Sequence, residues 1–220
     1  MIYSYSLIDA FHNVCPRQAR AKYWEKVKQP DTPELIAGQQ DHKALEVRLL
    51  HRNALPAHLA VCEPICKSIE ARAIPLTELR VAVDRDLEPT GFFDNDCYIR
   101  GVLDVLLLND GRRGGFYFDW KTGKNNEHRH GPLQLKMGAA FSFAMHPELQ
   151  NISAANVYTQ NGQLGIAHHW KRTELPEMWR EIVPLIHEIE AAEAAGNFPE
   201  KPGPLCKWCP DKKCQHNKAP

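Results

Sequence analysis

The 220-residue sequence contains no uninterrupted apolar run long enough to cross a bilayer, so an α-helical membrane span is excluded. It also lacks net charge: 27 Lys and Arg balance 27 Asp and Glu, and bulk electrostatics gives no argument for a nucleic-acid partner. No internal repeat is visible. Met1 to Ser6 lacks the basic start and apolar stretch of a secretory signal, which makes the cytoplasm the expected compartment. What remains is a composition close to the globular average, 43% hydrophobic and 25% charged, with no sign of long disorder. The length suits one domain with a sizeable core, alone or with a small appendage.

Seven cysteines stand out against that background. In a reducing compartment a cysteine cluster points to a metal or catalytic site rather than a disulfide framework, and an odd count gives no support to full pairing. Charge is also unevenly placed. Arg17, Arg20, Lys22, Lys26 and Lys28 crowd one stretch near the start, and Lys201, Lys207, Lys212, Lys213 and Lys218 crowd the tail, around a more acidic middle. Charge alone would read as solvated helix and tail surface.

The pattern predicts helices first. Ser4 or Ser6 can cap a helix running toward Tyr23 and Trp24, restarted at Pro16, and Gln29 to Pro33 reads as a turn. A second helix is expected over about 34–50, with Leu35, His42, Leu45 and Leu49 on one face, so that His42 is expected to point toward the core. A third stretch, broken by Pro56 and Pro64, carries Leu59, Cys62, Cys66 and Ile69. From Thr77 the period becomes two, with Leu79, Val81 and Val83 facing one way. A long apolar strand follows over 97–108, then a turn over 109–115 and a returning strand over 116–121. Pro132 opens a helix that stops at Pro147, a hairpin turns around Asn161-Gly162, and a last helix spans about 176–195. This order gives an α/β fold with a central mixed sheet flanked by helices. The expected organisation is a single domain: a helical part over 1–75, a core over 76–198, and a cysteine-rich tail over 199–220 joined to Cys15.

Asp104 interrupts an apolar strand, where a carboxylate is costly unless paired or bound to a cation. Asp119 and Lys121 lie two apart and project from one face of the next strand. If the hairpin pivots between Gly111 and Arg112, Asp104 faces Asp119. Like charges directly opposed ask for a divalent cation, and an oxygen-rich site suits Mg²⁺ or Mn²⁺. Lys121 could then orient a water and stabilise charge on a phosphate, so the residues suggest a metal-dependent phosphodiesterase. The plain alternative is an Asp–Lys salt bridge within a sheet.

Gly101-Val102-Leu103-Asp104 followed by Asp119-Trp120-Lys121 resembles the PD-(D/E)xK nuclease superfamily, in particular its RecB-type branch. Gly38 and His42 resemble that branch's Gly-x-x-x-His motif, and Gln134 resembles its Gln motif, although Gly138 stands where relatives often carry a Tyr. Glu78 matches a position where relatives often carry an acidic residue. The resemblance implies a restriction-endonuclease-like core. It implies a metal held by His42, Asp104, Asp119 and the Trp120 carbonyl, with Lys121 assisting the nucleophilic water and Gln134 positioning substrate.

Cys206, Cys209 and Cys214 lie in a short tail with almost no core of its own, and a metal would staple it. His216 could complete a Cys₃His zinc site, or Cys15 could complete a Cys₄ iron–sulfur site. Tyr5-Ser6-Leu7-Ile8 with Cys15-Pro16-Arg17 is similar to the start of iron–sulfur RecB-type nucleases, including CRISPR-associated and AddB-type ones. That similarity implies a structural [4Fe–4S] cluster on Cys15, Cys206, Cys209 and Cys214. Cys62, Cys66 and Cys97 are then expected to pack as small apolar residues. Tyr23, Trp24 and Trp208 offer stacking faces to a single strand drawn along the basic ends.

The reading is a Mg²⁺- or Mn²⁺-dependent DNA exonuclease in recombination, repair or phage DNA processing. DNA is the expected partner, with no membrane, and with room for a homo-oligomer or a recombination or helicase partner. The alternatives are a non-catalytic DNA-binding or adaptor subunit of the same fold and a CRISPR-adaptation nuclease.

Overall fold

The computed structural model describes residues 1–28, 31–122 and 132–217. Positions 29 and 30 of the expected turn and Lys218 of the basic tail lie outside the described residues. No described helix is long and apolar enough to cross a membrane. The chain forms two compact units, one of Met1–Ile2 with Pro33–Trp179 and one of Tyr3–Thr32 with Arg180–Pro220.

The first unit is a mixed sheet between helices, as the pattern of the sequence predicts. Its strands are β1 (Leu76–Val83), β2 (Ile99–Leu108), β3 (Gly114–Lys121), β4 (Asn151–Tyr158), β5 (Gln163–Leu164) and β6 (His168–Lys171), ordered β1-β2-β3-β4-β5 with β6 also on β4. β1, β2 and β3 are antiparallel, and β4 runs parallel to β3 because α5 (Leu133–Met145) intervenes between them.

Two helices, α3 (Pro33–His51) and α4 (Glu63–Glu70), build the core of this unit with the sheet. Leu45, Leu49, Leu59, Cys62, Cys66 and Ile69 cluster with Val105, Leu107, Trp120 and Val157, and Phe116 and Phe118 pack against the same cluster. Pro64 does not break the helical stretch as expected. It occupies the first turn of α4, where the missing N–H has no partner to lose. The buried Arg48 guanidinium bridges Glu63 at 2.6 Å and Glu70 at 2.7 Å, which ties α3 to α4. Alternation along β3 sends Tyr117 and Asp119 to the opposite face, where α5 is buried on most of its circumference.

One expectation about α3 does not hold. Leu35 is exposed and His42 is half-buried rather than facing the core, because the apolar face of α3 meets the sheet only from Leu45 onward. Cys62, Cys66 and Cys97 are buried free thiols. Burial pushes all three up, Cys66 to about 12, so they stay protonated packing groups.

The second unit contains α1 (Tyr5–Asp9), a π-helical turn over Ala10–Val14, α2 (Pro16–Tyr23) and most of α6 (Leu175–Ala194). Ser4 caps α1 by accepting the Leu7 N–H at 3.3 Å. Cys15 is extended, so the helical stretch breaks there and restarts at Pro16, as expected. His12 reaches the Leu185 carbonyl at 2.9 Å, and the Trp24 indole donates to Glu193 at 2.7 Å.

Candidate functional site

The β2–β3 hairpin has the register that a pivot between Gly111 and Arg112 demands. Leu108 pairs with Gly115, Leu107 with Phe116, Leu106 with Tyr117, and Val105 with Phe118. One step further, Asp104 comes level with Asp119, and the ladder gives way to a side-chain bond: the Trp120 N–H donates to Asp104 Oδ2 at 2.7 Å. That contact holds one carboxylate oxygen of Asp104 and leaves the other to face α3, where His42 Nδ1 lies 3.5 Å from Oδ1.

Glu78 completes the group. His42, Glu78 and Asp104 each offer a ligand atom within 4.8 Å of the others, and all three are half-buried. Glu78 sits in β1 with φ +48°, a left-handed backbone unusual for a residue with a side chain and found where a site stores strain. Gly38 lets the facing helix approach closely: a Cβ there would come within 3.1 Å of Thr122 Oγ1, just past the end of β3, so that side chain would have to shift slightly. Glu78 and Thr122 line an open groove of about 470 Å³ with Gly38 and His42.

The electrostatics fit a cation. Burial and the charge of Asp104 push the Glu78 carboxyl up. Burial pulls the His42 imidazole down, but its bond to Asp104 and the charges of Asp104, Asp119 and Glu78 outweigh that and raise it. A divalent ion would relieve the repulsion between the carboxylates and displace the proton from the imidazole.

Asp119 is not one of these three and is 3% exposed. Its carboxylate takes the Lys121 ammonium at 2.6 Å on Oδ2 and the Gln134 amide at 2.6 Å on Oδ1. The Tyr117 hydroxyl donates to the same Oδ1 at 3.0 Å. The Lys121 ammonium also donates to Gln134 Oε1 at 2.6 Å, which closes a ring of three side chains. Burial and Asp104 push the Asp119 carboxyl up, against the pull of Lys121 and Tyr117.

Tyr117 was not among the expected site residues, though its place two residues before Asp119 puts it on the same face of β3. Gly138 explains how it fits. A Cβ at Gly138 would lie 2.3 Å from Tyr117 Cε1, so the missing side chain on α5 makes room for the ring that reaches Asp119. Of the expected residues, the fold brings His42 to Asp104, and Asp119 to Lys121 and Gln134. Trp120 contributes its N–H to Asp104.

The PD-(D/E)XK nuclease superfamily model matches residues 3–214. The chain belongs to this superfamily. Its members use divalent metals, and the His42, Glu78 and Asp104 group is a set of residues that could bind one. Two solved structures share the nuclease fold. The protein named SSO0001 is 14% identical with a TM-score of 0.51, over 98% of this chain and 87% of its own. The protein from Eubacterium rectale described as “Putative exonuclease” is 12% identical with a TM-score of 0.59, over 100% of this chain and 89% of its own. No curated protein matches the sequence.

The second unit of the nuclease gathers the other expected residues. Cys15, Cys206, Cys209, Cys214 and His216 line one cavity of about 270 Å³. The Lys201 N–H donates to Cys15 Sγ at 3.4 Å, and the Gly203 N–H to Cys206 Sγ at 3.2 Å. Arg17 holds the surrounding loops through Asp211 at 2.6 Å and through Glu200, and His216 Nε2 lies 3.0 Å from Glu200. Trp24 packs edge-on against Phe198, and Trp208 is half-exposed beneath the Lys207 ammonium, 4.0 Å from its ring centre.

Proposed function

We propose that this protein is a Mg²⁺- or Mn²⁺-dependent DNA exonuclease of the RecB-type branch, serving recombination, repair or phage DNA processing. The observation that carries the reading is the convergence of His42, Glu78 and Asp104 beside the strand that carries Asp119 and Lys121. A non-catalytic DNA-binding subunit would have no use for three ligands around costly half-buried charge. The exonuclease description of the Eubacterium rectale protein favours attack from DNA ends.

His42, Glu78 and Asp104 would hold the metal, with Asp119 and the Trp120 carbonyl as further oxygen donors. A bound ion would polarise the scissile phosphate and make water a better nucleophile at neutral pH. Water attacks phosphorus, the bond from phosphorus to the leaving oxygen breaks, and that oxygen takes up a proton. Lys121, held by Asp119 and Gln134, brings a positive charge toward the phosphate oxygens as negative charge builds on them. Gln134 fixes the ammonium and positions the substrate.

The four cysteines support a structural [4Fe–4S] cluster. They line a cavity rather than converge, since among the described residues no three of these side chains bring ligand atoms within 4.8 Å of one another. A zinc site on Cys206, Cys209, Cys214 and His216 would need tight tetrahedral approach, and His216 is engaged with Glu200.

The test uses end-labelled linear DNA and covalently closed circles with Mg²⁺ or Mn²⁺. Linear DNA should shorten from its ends while circles persist, and Lys121→Ala should slow hydrolysis at least about 100-fold, as loss of a charge-stabilising group does. Equal digestion by Lys121→Ala and wild type would sink the assigned site, and cutting of circles would sink the exonuclease reading.

A further inference from the structure

The loop between β1 and β2 places two phenyl rings and two guanidiniums together along the strands that carry Glu78 and Asp104. Arg80 lies 5.6 Å from the Phe92 ring centre and 5.3 Å from that of Phe93. Arg100 lies 4.6 Å and 5.9 Å from the same two centres. Arg100 also donates to the Phe92 carbonyl at 3.0 Å, which fixes the loop on β2. Phe92 and Phe93 meet edge to face, and Phe93 remains 71% exposed. An aromatic side chain left that open beside two cations is poor packing and good recognition surface.

Nearby acids do not cancel the charge. Asp94 accepts the Gly91 N–H at 3.0 Å, and Asp96 accepts the Thr90 hydroxyl at 2.7 Å, so both turn to donors of their own loop. Among the described residues no carboxylate pairs with Arg80 or Arg100. The location follows from register. Arg80 is two residues from Glu78, roughly 7 Å along the strand. It pairs with Val102, two residues from Asp104, and Ala82 pairs with Arg100. Val102 is itself exposed, so this stretch of the strand pair is open to solvent.

We propose that Phe93, Arg80 and Arg100 form a platform that stacks an unpaired base and holds its phosphate, so that the strand entering the site is single-stranded DNA. The proposal rests on the nuclease reading above. Stacking on a side chain requires a base with a free face, which the interior of a duplex does not offer. The guanidiniums supply the phosphate contact without reading sequence. The platform therefore recognises a strand by its unpaired bases next to the cleavage point.

The test is binding without cleavage, by fluorescence anisotropy in EDTA with labelled oligonucleotides. Wild type should prefer single-stranded over blunt duplex DNA of equal length. Phe93→Ala should weaken single-strand binding about 5- to 100-fold, the range for losing one stacked base. Phe93→Trp should keep it, and an abasic oligonucleotide should make wild type and Phe93→Ala alike. The double variant of Arg80→Gln with Arg100→Gln should flatten the salt dependence by about 0.7 per lost phosphate contact. An unchanged single-strand affinity in Phe93→Ala, an equal loss on duplex, or tighter binding of RNA than of DNA would each overturn the proposal. Unfolding curves of the variants confirm their fold. Hydrolysis lost in Lys121→Ala with no effect of Phe93→Ala would leave the nuclease reading standing and remove the platform. The reverse result would separate the two the other way.

Discussion

Asp119 is the most heavily coordinated side chain of the site, with three donors on two oxygens: Lys121, Gln134 and Tyr117. Each donor favours the ionised carboxylate against burial and against Asp104. Tyr117→Phe removes one donor and nothing else of comparable size. The variant should lose about 1–2 kcal/mol of stability in denaturant unfolding, because a bond to a charged partner goes. Asp119 should also become easier to protonate, so the acid limb of the pH–rate profile should move to higher pH. A limb that stays in place would show that Asp119 does not control the rate.

Glu78 makes a second case at the same scale. Its carboxyl is pushed up by burial and by Asp104, so the folded metal-free protein holds that proton more tightly than the unfolded chain. The associated stability is present below the ordinary glutamate value and is lost as pH rises through the folded value. His42, also raised, acts in the same direction through its own range. Glu78→Gln should therefore gain on metal-free wild type as pH rises from 4 to 8, by about 1 kcal/mol or less because the group is partly solvated. Added Mg²⁺ should raise the wild-type Tm more at pH 8 than at pH 5, and should do little for Glu78→Gln. Thermal scans across pH with and without metal measure both.

Among the elements, the packing of α5 on β3 decides the geometry of the site. Gly138 has Tyr117 in the space a methyl group would need, and rigid ring and backbone atoms cannot yield cheaply. Gly138→Ala should cost about 1–3 kcal/mol, with a loss of activity larger than that of Tyr117→Phe, since it displaces the ring and the helix that carries Gln134. A fully active, equally stable Gly138→Ala variant would contradict the contact. The hairpin of β2 and β3 is simpler. Its register follows from the turn, and the residues around Gly111 in its left-handed conformation, φ +78°, suffice to set it.

At the scale of the whole molecule, the two units carry different chemistry: one the carboxylates and Lys121, the other the cysteine-lined cavity. Cys15→Ser removes the proposed cluster ligand nearest the start of the chain. Protein purified without oxygen should be brown and contain iron, and Cys15→Ser should lose the colour, the iron and at least about 3 kcal/mol of stability, since binding energy of such a site is folding energy. Colourless wild type with stoichiometric zinc, indifferent to Cys15→Ser, would establish the zinc alternative instead.

The sequence by itself determined the mixed α/β order, the hairpin register and the placement of Asp104, Asp119 and Lys121, because turn chemistry and two-residue alternation are local. It also marked Gly38 with His42 and the cysteine spacing, which are legible as short motifs. Tertiary structure decided what depends on several elements meeting. Glu78 joins His42 and Asp104 only through a left-handed residue inside β1, which no periodicity announces. His42 lines the groove beside the half-buried carboxylates of Glu78 and Asp104, while the apolar cluster takes up α3 only from Leu45 onward. Tyr117 reaches Asp119 because a helix distant in sequence lacks a side chain at Gly138, and such an absence acquires meaning only once packing brings the two surfaces into contact.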